Sequence, residues 1–255
     1  MGCQSVNVRT SPNHSPALEH TYLVHLPGIG GRTSLDINWV QGLSDGHVAG
    51  HVELYDWTRP NWWLWALRAY EHNRAESRMI ADRITARVRD DPQANIILTA
   101  WSGGCQVAIW ALEDLPEDIR VQSVVMVAPS MRPNYDMSRA LSHVRGSLFA
   151  VTSPGDWFIL GGGTLVFGVS DGSRTAGAGM IGFEIPQGSS EVEYKKLVQL
   201  AYAAKWLQYG DLGGHAGAVS ARFARDVVVP LLKDDAKKVN PPTTRPATQE
   251  LPSRP

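Results

Sequence analysis

Asn95-Ile-Ile-Leu-Thr99, Ala100-Trp101-Ser102-Gly103-Gly104 and Cys105-Gln-Val-Ala-Ile-Trp-Ala-Leu112 run on without a break. The first part is an apolar run of strand character, and the last part is a helix-like run. Between them a serine sits among small residues. A sharp strand-to-helix turn crowds backbone and side chains together, so small neighbours are required on both sides of the serine. Such a turn lifts the hydroxyl above the sheet and aims the N-terminus of the next helix at it. This is the nucleophile-elbow pattern G-x-S-x-G, with Ala100 in place of the first glycine. A Ser-Gly-Gly helix cap after a strand is the plainer account of the same residues.

The rest of the chain carries matching partners. Ser147-Leu-Phe-Ala-Val-Thr152 reads as a late strand and runs into Ser153-Pro-Gly-Asp156, which places a carboxylate in the turn that follows. Gly210-Asp-Leu-Gly-Gly-His215 puts a histidine in a glycine-rich loop near the end of the folded part. With its order of Ser102, Asp156 and His215, the chain resembles the α/β-hydrolase superfamily over roughly residues 20 to 232. The resemblance implies an α/β fold, with a mostly parallel central sheet and helices on both faces. It also implies a serine hydrolase that cleaves an ester or related acyl compound through an acyl-enzyme, with no cofactor and no metal. Its substrate would be a small-molecule or lipid-like acyl compound. An acyltransferase or thioesterase, or a catalytically inactive binding module of the cell envelope, is the alternative.

Within that resemblance His215 is the base and Asp156 the acid. His14, His20, His25, His47, His51, His72 and His143 fit the role worse, because the base should follow the acid and lie near the chain end. Asp171 is a rival carboxylate and Asp211 a more distant one. Asp156 leaves a strand directly, whereas Asp171 follows Gly168-Val-Ser in a loop. An ordinary Pro-Gly-Asp turn accounts for Asp156 without chemistry. One oxyanion donor would be the backbone N–H of Gly103. The second would come from His25-Leu-Pro-Gly-Ile-Gly-Gly31, which resembles the family's His-Gly turn with Pro27 in place of the histidine. Ile29 is the first choice there and Gly30 the second. The same glycines lack the spacing of a dinucleotide fingerprint and have no P-loop lysine.

The chain has nine tryptophans. Trp101 and Trp157 flank Ser102 and Asp156. Trp57 lies just past a strand's carboxyl end, where open α/β sheets place ligands. These three are the expected substrate-binding residues. Core packing accounts for most of the others, including the cluster Trp62, Trp63 and Trp65.

Composition narrows the alternatives. The 255 residues are 43% hydrophobic and 19% charged, enough for a sizeable buried core. A formal net charge of -1 gives no electrostatic basis for nucleic-acid binding. No apolar run is long enough to span a bilayer. Cys3 and Cys105 form no disulfide framework, and no Cys/His cluster has zinc spacing. Cys105 reads as a small buried hydrophobe. Met1-Gly-Cys-Gln-Ser5 looks like the end of a bacterial lipoprotein signal, without the charged and apolar regions that precede one. Either Cys3 marks a cell-envelope lipoprotein, or the match is chance and the protein is cytoplasmic.

Residues 1–19 are polar and read as a flexible leader or tether. Residues 20–232 read as one α/β domain, and 233–255 as a disordered Pro/Thr-rich tail. Strands are expected at Tyr22–Leu26, His51–Asp56, Asn95–Thr99, Val121–Val127, Ser147–Thr152 and Val198–Tyr202. Helices are expected from Thr33 or Ser34 to about Leu43, at Arg74–Arg89, Cys105–Leu112 and Met137–His143, with a closing helix from Ala216 to Leu232. Strands alternating with helices argue for a parallel sheet. The connection from Pro129 to Ser147 is too short for a cap domain. The glycine-rich segment from Leu160 to Gln187 suits either a mobile flap or a static rim.

Overall fold

The computed structural model describes residues 6–8, 16–58, 69–153 and 177–239. Six parallel strands form the sheet: β2 (Thr21–Leu26), β3 (His51–Leu54), β4 (Asn95–Trp101), β5 (Ser123–Val127), β6 (Leu148–Thr152) and β7 (Leu197–Ala201). A seventh, β1 (Val6–Val8), pairs antiparallel with β3, and the order across the sheet is β1-β3-β2-β4-β5-β6-β7. The central strands β4, β5 and β6 read as near-continuous apolar runs because both faces are covered. Alternate side chains serve the two faces. Ile96, Leu98, Val124 and Met126 join the core under α3 (Tyr70–Asp90), α4 (Gly104–Glu113) and α5 (Ser138–Ser142). Ile97, Val125 and Val127 join the core under the closing helix and α2 (Ser34–Asp45), the first described helix being the single turn α1 (Pro16–Glu19) before β2.

The chain passes from β2 to β3 on one side, then crosses back to β4 on the other side of β2. The loops leaving β2 and β4 therefore diverge at a topological switch point, at the carboxyl ends of the strands, where open α/β sheets bind ligands. The loop after β2 is fixed on its far side by α2, whose N-terminus is a capping box. The Thr33 side chain accepts from the Asp36 N–H, and the Thr33 N–H donates to Asp36 Oδ2.

Several boundaries differ from the sequence reading, each for a local reason. Val6–Val8, read as part of a tether, extends the sheet edge beyond β3. Helix α3 begins at Tyr70, a turn before the apolar stripe that marks it in sequence. Val121 makes only an isolated bridge to Val144, so β5 starts at Ser123. The closing helix starts at Ala221, not Ala216, because Ser220 caps it, its Oγ accepting from the Phe223 N–H at 3.1 Å. It then widens into a π-turn over Ala224–Val228 and continues as Val229–Val239. Pro230 lies just past the π-turn, where a regular α-helix would set its ring against a carbonyl one turn back. Among the described residues no helix is long and apolar enough to cross a membrane.

The helix runs beyond Leu232 because Asp235 anchors it. This carboxylate is 3% exposed and accepts from Ser123 Oγ at 2.7 Å, Ser147 N–H at 2.9 Å and Ser147 Oγ at 2.7 Å. Asp235→Ala would leave three donors unsatisfied beneath the sheet. An orphaned buried polar group costs roughly 1–3 kcal/mol, so the variant is expected to lose about 3 kcal/mol or more in chemical denaturation. An unchanged midpoint would show that the closing turns of this helix contribute nothing to the core.

Candidate active site

The elbow is strained, and its surroundings hold it. Ser102 has φ +53°, the left-handed region that side chains with a Cβ enter at a cost of about 1–2 kcal/mol. Three backbone bonds fix it: the Ser102 N–H donates to Val127 O at 2.9 Å, and Ser102 O accepts from the N–H of Cys105 at 3.1 Å and of Ser130 at 3.2 Å. Gly104 is required by close approach, since a Cβ there would lie 2.4 Å from Pro27 O and 2.7 Å from Leu26 O. The helix start is thus pressed against the exit of β2. Ser102→Gly should relieve the strain. Part of the gain is offset by glycine's greater chain entropy in the unfolded state, which leaves a net stabilisation of about 0.5–1 kcal/mol. Equal or lower stability in urea melts would mean the elbow stores no such strain.

His215 meets Ser102 at the carboxyl end of the sheet. Its Nε2 lies 2.9 Å from Ser102 Oγ, within proton-transfer reach. The histidine arrives on a loop that follows β7 and a short 3-10 turn at Ala204–Tyr209. That turn is seated by Trp206, which packs edge-on against Phe223 and Tyr202. Within the loop the buried Asp211 accepts the Gly213 N–H at Oδ1, 2.9 Å away, and the Tyr202 ring lies against Gly213. Trp101 reaches the histidine directly: its indole N–H donates to His215 O at 3.0 Å, and the two rings are 5.6 Å apart.

Across from the histidine stands the turn Gly28–Gly31, closed by the Gly31 N–H on Gly28 O at 3.0 Å. The N–H groups of Gly103, Ile29 and Gly30 find no acceptor among the described residues. They remain open to an added oxygen. Gly28 packs closely, since a Cβ there would stand 3.2 Å from the Trp101 ring and 3.5 Å from Ser102 Cβ.

Trp57 requires correction. It is 1% exposed and packs in the core cluster under α3 and α4. Its indole N–H donates to Pro27 O at 2.8 Å, so it braces the turn from behind. Asp56 does the same from the other side, accepting the Arg32 N–H at Oδ2, 3.0 Å away, and both Thr58 donors at Oδ1. Sequence reasoning missed Asp56, although its place at the end of β3, beside β2, was the available signal.

Beneath the turn, buried His25 bridges Thr99 Oγ1 at 2.9 Å and Asp36 Oδ1 at 3.2 Å. His20 pairs with Asp91, His72 Nε2 with Trp57 O, and His143 Nδ1 with Ile119 O. His51 stacks on Tyr22. These groups have structural partners away from Ser102. Cys105 is fully buried, and burial pushes its thiol pKa far up, so it is no rival nucleophile.

Cys3, His14, Asp156, Trp157 and Asp171 lie outside the described residues, as do Trp62, Trp63 and Trp65. The described end of the glycine-rich segment, from residue 177, is tied down. The Ala178 N–H donates to Met131 O, the Gly179 N–H to Pro129 O and the Glu184 N–H to Pro133 O, while Gly179 O accepts the Ser153 N–H, each at 2.8 Å. This part is a rim fixed to the ends of β5 and β6.

A Bacillus licheniformis lipase in mature form superposes with a TM-score of 0.51 at 13% identity, covering 90% of this chain and 98% of that one. Acyl-protein thioesterase 2 of Zea mays gives 0.50 at 12% identity, covering 92% and 99%. A lipase-esterase related protein of Clostridium acetobutylicum gives 0.50 at 11%, covering 91% and 99%. The chain has the α/β-hydrolase fold. No protein-family model matches it, and no curated protein matches it in sequence. In this α/β-hydrolase fold the elbow follows the strand beside the switch point, and the histidine loop follows the last strand of the sheet.

Proposed function

We propose that this protein is a serine hydrolase that cleaves an ester or related acyl compound through an acyl-enzyme. The observation that carries the reading is the 2.9 Å approach of His215 Nε2 to a serine hydroxyl held at a strained strand-to-helix turn. Serine is a weak nucleophile until a base takes its proton. In the proposed cycle His215 Nε2 accepts the Ser102 proton as Oγ bonds to the substrate's acyl carbon. The carbonyl oxygen becomes an oxyanion, received by the N–H groups of Gly103 and of Ile29, with Gly30 as the alternative donor. Collapse breaks the bond to the leaving group, which takes the proton from Nε2. Water then repeats the sequence against the acyl-enzyme and restores Ser102. Asp156 is assigned to hold the imidazole in the tautomer that leaves Nε2 free to accept.

The neighbours' names support an acyl substrate, since one is called a lipase and another an acyl-protein thioesterase. The test is stopped-flow hydrolysis of chromogenic esters and thioesters of increasing acyl length. A burst of one product per active site, followed by steady turnover, is the expected result. A wild-type protein inert to every member, yet binding one of them, would favour the inactive binding module instead.

A further inference from the structure

Trp101 is the last residue of β4 and stands opposite Val127 on β5, so its backbone is fixed by the sheet. The next residue is Ser102. The indole N–H donates to the backbone oxygen of His215 itself, 3.0 Å away, and the six-membered part of the ring lies close to Gly28, where a Cβ would stand 3.2 Å from Cε3. One side chain thus touches all three parts of the site: the strand that carries the serine, the loop that carries the histidine, and the turn that offers open N–H groups. The histidine loop has glycine at 210, 213, 214 and 217, and bonds such as Gly213 N–H to Asp211 Oδ1 and Gly217 N–H to Gly214 O hold the loop to itself, whereas the Trp101 indole ties it to the strand that carries Ser102. Proton transfer requires a heavy-atom separation of about 2.6–3.2 Å, and a 1 Å misplacement costs about a hundredfold in rate.

We infer that Trp101 is a positioning residue, which locks His215 to the nucleophile strand through its indole N–H and backs the Gly28 turn with its ring. The inference rests on the reading of Ser102 and His215 as nucleophile and base. It replaces the substrate-contact role expected from sequence with one that acts through the base. A residue that binds substrate acts chiefly on KM, whereas one that places the base acts on kcat.

Trp101→Phe keeps a ring and deletes the donor, and Trp101→Met fills the space without a ring if the first variant fails to fold. Each is to be assayed for kcat and KM on a short-chain chromogenic ester, and for the rate at which a fluorophosphonate labels Ser102. The melting temperature is measured alongside. The expected result is a fall in kcat of roughly ten- to hundredfold, with KM within about twofold and labelling slowed in parallel. Wild-type kcat in a folded variant, or a raised KM with kcat retained, would overturn the proposal. So would loss of fold in both variants, which would make the ring a core element. If the wild-type protein itself neither turns over nor labels, it is the assignment of Ser102 that fails, and the role given to Trp101 falls with it.

Discussion

Ser102→Ala is expected to abolish ester cleavage while leaving the fold in place. Alanine carries the same Cβ into the left-handed conformation at φ +53°, so the strain is unchanged and only the hydroxyl is lost. The three backbone bonds that fix the elbow do not involve the side chain. Loss of the nucleophile from such a unit costs on the order of 10⁶-fold in kcat, and the remainder comes from binding and oxyanion donors alone. Steady-state assays beside a denaturation curve separate the two effects. Wild-type turnover by the variant would remove Ser102 from the chemistry.

The second large effect concerns the acid. Asp156→Asn is expected to lower kcat by about 10⁴-fold, because an amide at that position favours the wrong imidazole tautomer and leaves the imidazolium without a counter-charge. Asp171→Asn is expected to change kcat little. Parallel assays of the two variants decide between the carboxylates, and the reverse ranking would move the acid to Asp171 and reduce Ser153-Pro-Gly-Asp156 to a turn.

The elbow and the histidine were legible because each depends on local chemistry. Small residues around Ser102 and glycines around His215 are demanded by short-range sterics, and those demands are written in consecutive residues. The parallel order puts the loops after β4 and β7 at the same end of the sheet, and the 2.9 Å meeting of the two side chains is made by the long loop after β7, which reaches back past β6 and β5. Trp57 was misread for the opposite reason. A tryptophan past a strand end looks the same in sequence whether its ring faces a ligand or its N–H caps Pro27 O, and only the neighbouring strand decides. The bridge from Trp101 to His215 spans 114 positions along the chain, and no local pattern encodes it. The edge strand Val6–Val8 is three residues long in a polar surrounding, too short for alternation to register. The end of the closing helix was set too early because Asp-Asp-Ala-Lys-Lys reads as solvated, whereas Asp235 turns inward to two serines on and beside the sheet.

Covalent capture tests Ser102 as an activated nucleophile. The wild-type protein is incubated with a fluorophosphonate, digested, and mapped by mass spectrometry, with Ser102→Ala and His215→Ala treated alongside. A single phosphonylated peptide containing Ser102 is expected, with no label in Ser102→Ala and labelling slowed by orders of magnitude in His215→Ala. Label on another residue, equal labelling without His215, or no label on a folded wild-type protein would contradict that role.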